Sequence, residues 1–141
     1  MKNWLFQTNP NGYGSLIARL ALGLVMLPHG LQKAFGLFGG PGFEGTMGFL
    51  TGMGIPAAVA ALVIIGESVG AVALILGFCT RFCAAALAVI MLGAIILVHG
   101  ASGFFAPSGY EYHLLAIGLG LVLVIQGGGA WSLDMLLNKK K

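Results

Sequence analysis

Residues 56–99 read PAAVAALVIIGESVGAVALILGFCTRFCAAALAVIMLGAIILVH, and this stretch decides the fold class. It contains two apolar runs, at about 56–78 and 80–99, and each is close to the roughly 20 residues that a helix needs to cross a bilayer. Only Glu67 and Arg81 carry a formal charge within it. Because the connection between the runs is very short, we predict that they form an antiparallel hairpin of membrane helices.

Two more apolar runs flank this hairpin, at about 14–35 and 110–126. Segments rich in Gly and Pro separate the runs, and these read as loops at 36–55 and 100–109. Three consecutive glycines, at 127–129, end the last run, and a basic tail follows at 138–141. The pattern predicts one all-α domain, an integral membrane bundle of four helices.

The composition of the whole chain agrees with this class. Of its 141 residues, 58% are hydrophobic and 8% are charged, and the mean hydropathy is +0.98. An ordinary soluble domain has about 25% charged residues, which keep its surface in solution. A soluble enzyme, a nucleic-acid-binding domain and a disordered chain are therefore excluded. The net charge of +3 equals the terminal run of three lysines, which we interpret as an orientation signal in contact with membrane lipid.

The distribution of basic residues predicts the orientation. With four spans, the termini and the connection near residue 79 share one side of the membrane. That side collects Lys2, Arg81 and the terminal lysines, whereas Lys33 is the one lysine or arginine on the other side. The positive-inside rule then places both termini in the cytoplasm.

Two charged residues lie within the predicted spans, Arg19 in the first and Glu67 in the second. A charge at the centre of a span costs about 2.5–3.5 kcal/mol on insertion scales, so it usually faces a partner or a cavity. One interpretation is a structural Arg19–Glu67 pair, and the other is a carboxylate that carries protons or contacts substrate. Gly66 and Gly70 flank the glutamate, a pattern that favours close helix approach and self-association into a homo-oligomer.

A second polar group lies near the outer ends of the predicted spans. His29 and Lys33 share a face of the first span, His99 ends the third, and Glu111 and His113 begin the fourth. Three interpretations stay open: a belt of amphipathic anchors, a quinone-binding pocket, or a metal site built on the three histidines. The metal site is the weakest, because no local ligand spacing supports it, and we expect neither a metal nor a nucleotide.

The sequence around two of these histidines shows a weak internal repeat. His29-Gly30 and His99-Gly100 each close a span and are followed by Phe, Pro and Gly, and then by an aromatic-Glu pair. Duplication of a helical hairpin and chance similarity both account for it. Cys79 and Cys83 are expected to be free thiols that serve helix packing.

Four segments together resemble one family. They are ARLALGLVMLPHGLQKAFG at 18–36, GESVGAVALILGFCTRFCA at 66–84, MLGAIILVHGASGFFAPSGYEYHLL at 91–115 and GGGAWSLD at 127–134. With them the chain resembles the DoxX family of small bacterial inner-membrane proteins, from Ser15 to Asp134. The resemblance implies a four-helix membrane bundle with a loosely defined redox role, linked in some members to thiosulfate:quinone oxidoreductases and in others to thiol and oxidative stress.

The family pattern also marks particular positions but assigns no catalytic role to them. The matching positions are Arg19, His29, Lys33, Glu67, Arg81, His99, Glu111 and Asp134. The thiosulfate activity belongs to branches that use a partner subunit, so it is not carried over to this chain.

We therefore predict a membrane component of a quinone-linked redox system, working with a soluble or membrane-bound redox partner. In this hypothesis Glu67 carries protons, and His99 or His29 binds a quinone oxygen. The residues expected to line the cavity are Arg19, His29, Lys33, Glu111 and His113. The alternatives are a non-catalytic anchor or assembly subunit for a soluble oxidoreductase, and a small transporter subunit. No iron–sulfur cysteine spacing or haem attachment motif is visible, which favours the anchor.

Overall fold

Helices make up all the regular structure in the part of the chain that the computed structural model describes, residues 4–105 and 107–139 (with only the backbone of residue 139). Six α-helices occur there: α1 Tyr13–Phe35, α2 Gly42–Gly52, α3 Ala57–Leu76, α4 Thr80–Ala94, α5 Glu111–Gln126 and α6 Leu133–Lys139. A π-helical segment, Ile95–His99, and a 3-10 turn, Gly100–Ser102, extend α4. Lys2 and the last two lysines of the predicted tail lie outside the described residues.

Three helical segments are long and apolar enough to cross a membrane. They are Tyr13–Phe35, Ala57–Leu76 and Thr80–Ser102, with mean hydropathies of 1.4, 2.4 and 2.5. The predicted fourth span corresponds to α5, which is apolar but has only 16 residues, about 24 Å of helix. The all-helical class and its apolar candidate spans agree with the sequence.

The four apolar helices contact one another in a closed cycle. α1 packs mainly on α3 and α4 mainly on α5, while α3 with α4 and α1 with α5 complete the cycle. Leu22, Met26, Leu74, Leu87 and Leu123 are buried between them. Apolar side chains also cover the outward faces, as Val89 with 70% exposure illustrates. Such a continuous apolar surface suits lipid rather than water.

The segment predicted as a loop, 36–55, contains the helix α2. Its N-terminal cap is Pro41, whose ring fits the first turn of a helix. Thr46 and Leu50, four residues apart, form its buried face, and α2 contacts both α1 and α3. The Thr46 hydroxyl donates to the carbonyl of Lys33 at 3.3 Å. The sequence did not predict this helix, because its glycines are typical of loops.

Glycine brings α1 and α3 together, but at a position other than the predicted one. A methyl group on Gly30 would overlap the carbonyl oxygen of Glu67. By contrast, a Cβ on Gly66 would meet only the tip of Ile90, and one on Gly70 would meet open space. The expectation that the Gly66–Gly70 pattern creates the close approach beside the carboxylate is therefore wrong.

Candidate functional site

Glu67 forms an ion pair with Lys33, between the middle of α3 and the last turn of α1. Only 3% of the Glu67 side chain is exposed, against 31% of the Lys33 side chain. The pair forms because the antiparallel helices cross at Gly30, so that the next turn of α1 passes over the carboxylate. The Arg19–Glu67 pair considered from the sequence is wrong.

Arg19 instead donates to backbone carbonyls near the opposite end of α1. Its Nε–H bonds Gly128 at 2.9 Å, and its terminal amines bond carbonyls of Leu74, Ile75, Ala130 and Trp131. These acceptors are the last turn of α3 and the glycine-rich segment after α5, where helix geometry leaves carbonyls without partners. Arg19 also lies ten residues from His29 along one helix, about 15 Å. It is a structural clamp and does not line a cavity with the histidines.

Arg81 plays the matching role for the second helix pair. It donates to the carbonyls of Val124 and Ile125 in the last turn of α5, and to that of Gln7. The ring of Trp4 lies 4.7 Å from its guanidinium carbon. Arg19 in α1 thus caps the end of α3, and Arg81 in α4 caps the end of α5. These equivalent roles in the two helix pairs parallel the weak internal repeat in the sequence.

Asp134 completes this structural end of the molecule. Its carboxylate accepts the backbone N–H groups of Cys79 and Thr80, at 2.8 and 2.9 Å, and so caps the start of α4. Burial and, secondarily, this carboxylate raise the pKa of Cys79, which keeps its thiol protonated. The segment GGGAWSLD therefore holds helix ends together.

The three histidines converge at the other end of the molecule, as the sequence predicts. The ring centroids of His99 and His113 are 4.3 Å apart. Tyr112 lies between His113, at 4.8 Å, and His29, whose ring stacks on it at 5.5 Å. We call the four residues His29, Tyr112, His113 and His99 the ring cluster. It joins α1, the end of the π-helical segment and the start of α5.

Hydrogen bonding within the ring cluster is incomplete. Nδ1–H of His99 donates to the carbonyl of Ser108 at 2.8 Å, so this nitrogen is not available to a ligand. His113 is 7% exposed, and its Nδ1 is buried with no hydrogen-bond partner among the described residues. An unpaired buried polar atom is costly, and few are retained without a reason. A π-helical segment ending beside it is also typical of functional sites.

His29 and Tyr112 connect the cluster to its surroundings. His29 is exposed on the outward side of α1. Lys33 and Glu67 lie within electrostatic range of His29, and Glu67 within range of Tyr112. Tyr112 was not among the predicted site residues, because the sequence did not show which tyrosine at the start of α5 turns inward.

The remaining polar features are Glu111 and a surface depression at the Arg81 end. Glu111 begins α5, and its backbone N–H donates to the carbonyl of Phe104 at 3.0 Å. No group of three or more His, Cys, Asp or Glu side chains in the described part of the chain is arranged to hold a metal. A shallow depression of about 360 Å³ lies at the Arg81 end, lined by Gln7, Thr8, Asn9, Arg81, Gln126 and Asn138.

Comparison with known proteins gives consistent matches. The model of the DoxX family matches residues 14–100. The "putative oxidoreductase CatD" of Bacillus subtilis is 30% identical over 128 residues, covering 91% of this chain and 90% of that protein. The inner membrane protein YqjF of Escherichia coli is 34% identical over 129 residues, covering 90% and 94%. An uncharacterized membrane protein of Mycobacterium tuberculosis is 34% identical over 152 residues, covering 98% and 90%. No solved structure gives a significant match.

Proposed function

The chain belongs to the DoxX family, and from this premise we propose that it is the membrane component of a quinone-linked redox system. The ring cluster binds the head of a quinone, or of a similar small apolar carbonyl compound. The observation that carries this proposal is the buried, unpartnered Nδ1 of His113 beside the ring of His99. The imidazole rings carry hydrogen-bonding nitrogens, and at least one of them, Nδ1 of His113, has no partner among the described residues.

The residues fit a quinone in chemical terms. A quinone head is a flat ring with carbonyl oxygens that accept hydrogen bonds, and it partitions into lipid. Aromatic and imidazole rings offer it stacking surfaces, while neutral imidazole nitrogens donate or accept according to tautomer. His113 donates to the carbonyl oxygen through Nδ1, and the ring of His99 beside it supplies a stacking surface. A bound quinone supplies the electron acceptor, and a separate redox partner supplies the electrons.

The bilayer gives the ligand its route of access. His29 is exposed at the side of the helix cycle, and its ring stacks directly on Tyr112, which lies against buried His113. A molecule dissolved in the lipid tails can therefore approach between α1 and α5, past a polar side chain. Placing a polar side chain such as His29 against lipid costs free energy, and a role in ligand access would account for its position.

The Lys33–Glu67 pair provides the proton route. Glu67 is buried, and Lys33 reaches from it toward the exposed end of α1. A carboxylate held by a movable ammonium exchanges protons between the interior and the boundary of the membrane. Glu67 lies within electrostatic range of Tyr112, so the pair ends close to the ring cluster.

We further propose that four helices, α1, α3, the extended α4 and α5, cross the bacterial inner membrane with both termini in the cytoplasm. The closed cycle of contacts and the name of the E. coli relative support this arrangement. It puts the ring cluster toward the outer side and the arginine caps toward the inner side.

Binding measurements on the protein in mild detergent test the proposed function. We expect quinone to be extracted from the purified protein, and decylubiquinone to bind to it. His113→Leu weakens this binding about tenfold or more, the effect of losing one good hydrogen bond. His99→Ala also weakens it, because a stacking surface is lost. Glu67→Gln keeps the binding but slows quinone reduction by the partner. Tyr13→Phe, an exposed tyrosine at the opposite end, serves as the control.

Two results contradict the proposal. One is unchanged binding and unchanged activity in all three variants. The other is a colourless, ligand-free protein that co-purifies with a soluble reductase, which would instead support an anchoring subunit.

A further inference from the structure

The hydroxyl of Tyr112 is held by an unusually weak partner. It donates to the thioether sulfur of Met26 at 3.0 Å. Met26 is completely buried in the apolar core, with 0% exposure. A thioether is a poor acceptor, whereas a buried phenol normally pairs with an oxygen. The hydroxyl therefore gains if a carbonyl oxygen replaces the sulfur.

This weakly held donor lies beside the unpaired nitrogen of His113. Tyr112 and His113 are consecutive on α5, and their ring centroids are 4.8 Å apart. The Tyr112 ring also stacks on the ring of exposed His29. An incoming molecule thus meets the tyrosine directly after passing the bilayer face of the site.

We propose that Tyr112 is the specificity-determining donor of the site, and that Met26 occupies its hydroxyl when no ligand is bound. This inference rests on the proposed function and names the ligand class more closely: flat apolar molecules that carry a carbonyl acceptor. Methionine suits the exchange because its unbranched side chain repacks with little strain. When the ligand binds, the Tyr112 hydroxyl leaves the sulfur and donates to the carbonyl oxygen.

The inference predicts discrimination between ligands of the same shape. Menadione, a methylnaphthoquinone, offers carbonyl acceptors, whereas 2-methylnaphthalene has the same fused rings and none. A site built on a hydrogen bond rejects the analogue that cannot form it, because its own polar groups stay unpaired. Wild-type protein should therefore bind menadione at least tenfold more tightly than the hydrocarbon.

The test titrates menadione into the protein in nanodiscs and records the infrared carbonyl stretch of the bound ligand. In the wild type, hydrogen bonding shifts this band to lower frequency. Tyr112→Phe should weaken menadione about tenfold and remove the shift assigned to the tyrosine, while binding of 2-methylnaphthalene stays the same. Met26→Leu keeps a similar volume but removes the competing acceptor, so menadione should bind more tightly. Tyr110→Phe is the matched control, because the ring of Tyr110 packs on Phe104, a residue outside the ring cluster.

The outcomes separate this inference from the proposed function. If Tyr112→Phe leaves affinity and the carbonyl band unchanged while His113→Leu abolishes binding, Tyr112 is not the donor, but the site stands. If Tyr112→Phe weakens both ligands equally, the tyrosine acts through packing, which also overturns the inference. If the wild type binds neither ligand, both proposals fail together.

Discussion

The two members of the Lys33–Glu67 pair differ in their contact with the surroundings. Glu67 is almost completely enclosed, while Lys33 keeps nearly a third of its side chain accessible. A long lysine can extend its ammonium toward a polar boundary if its partner is lost. A buried carboxylate on the middle turn of a helix has no such freedom. The pair is therefore asymmetric in what each member can tolerate.

Removing the lysine should cost more stability than removing the charge of the glutamate. We expect Lys33→Met to lower the free energy of unfolding by about 3 kcal/mol, because it leaves a buried charge without a partner. Glu67→Gln should cost about 1 kcal/mol, since Lys33 can reach the boundary. Unfolding by sodium dodecyl sulfate, followed by circular dichroism, measures both values. Equal losses in the two variants would show that the burial of Glu67 is unimportant.

Single residues also show where sequence reasoning stops. Arg19 and Glu67 are located from their places in apolar runs, since such charges are rare and conspicuous. The partner of Arg19 is not, because its acceptors are backbone carbonyls up to 112 residues away. Which backbone carbonyls lack a hydrogen-bond partner depends on where the helices end in the folded structure. The side-chain sequence does not indicate those positions. The histidines were easier to group, since each marks the same end of a span.

Glycine has opposite consequences at two positions of neighbouring helices. Gly30 lies where the backbone of α1 touches that of α3, whereas Gly70 faces open space. Backbone contact leaves no flexible atom to yield, so an added methyl group must separate the helices. An added methyl in open space only strengthens the helix, since alanine is the better helix former.

Gly30→Ala and Gly70→Ala make a matched test of helix packing. We expect Gly30→Ala to destabilise the protein by about 2 kcal/mol through overpacking at the crossing. It should also weaken the Lys33–Glu67 pair, which depends on that crossing. Gly70→Ala should be neutral or stabilise the protein by up to about 1 kcal/mol. Thermal unfolding in detergent measures both, and a destabilising Gly70→Ala would instead place that glycine in a contact with a second copy.

The elements themselves were predictable to different degrees. The apolar runs on either side of Cys79 correspond to α3 and to the extended α4, because hydrophobicity over 20 residues leaves few other folds. The helix α2 was not predicted, since its stability comes from packing on α1 and α3 and not from its own composition. The π-helical end of α4 was equally invisible, because one extra residue per turn leaves no mark in an apolar sequence.

The residues that stabilise the fold and the residues of the candidate site lie at opposite ends of the molecule. At one end, Arg19, Arg81 and Asp134 pair with backbone groups at helix ends. At the other end, the ring cluster keeps polar atoms that lack good partners. Sites that bind ligands commonly retain such unsatisfied groups, at the expense of stability.

The proposed orientation of these two ends is directly testable. In a variant with Cys79→Ala and Cys83→Ala, we would introduce one cysteine at a time at exposed positions. Ser108→Cys lies in the loop before α5 and should react with a membrane-impermeant maleimide in intact cells. Asn11→Cys precedes α1 and should react only after the cells are permeabilised, because both termini are proposed to be cytoplasmic. The reverse labelling pattern would invert the orientation.

The Arg19 clamp also has a consequence for the order of events during synthesis. The first helix leaves the ribosome with its guanidinium, but the carbonyls of Gly128, Ala130 and Trp131 are translated more than a hundred residues later. Until then the nascent first helix must keep this charge near the lipid headgroups, because the bilayer interior penalises it. Once the glycine-rich segment after α5 has been made, its carbonyls accept hydrogen bonds from Arg19, and the guanidinium can then move into the protein interior. The segment after α5 thus closes a structure that α1 leaves open until that segment has been translated.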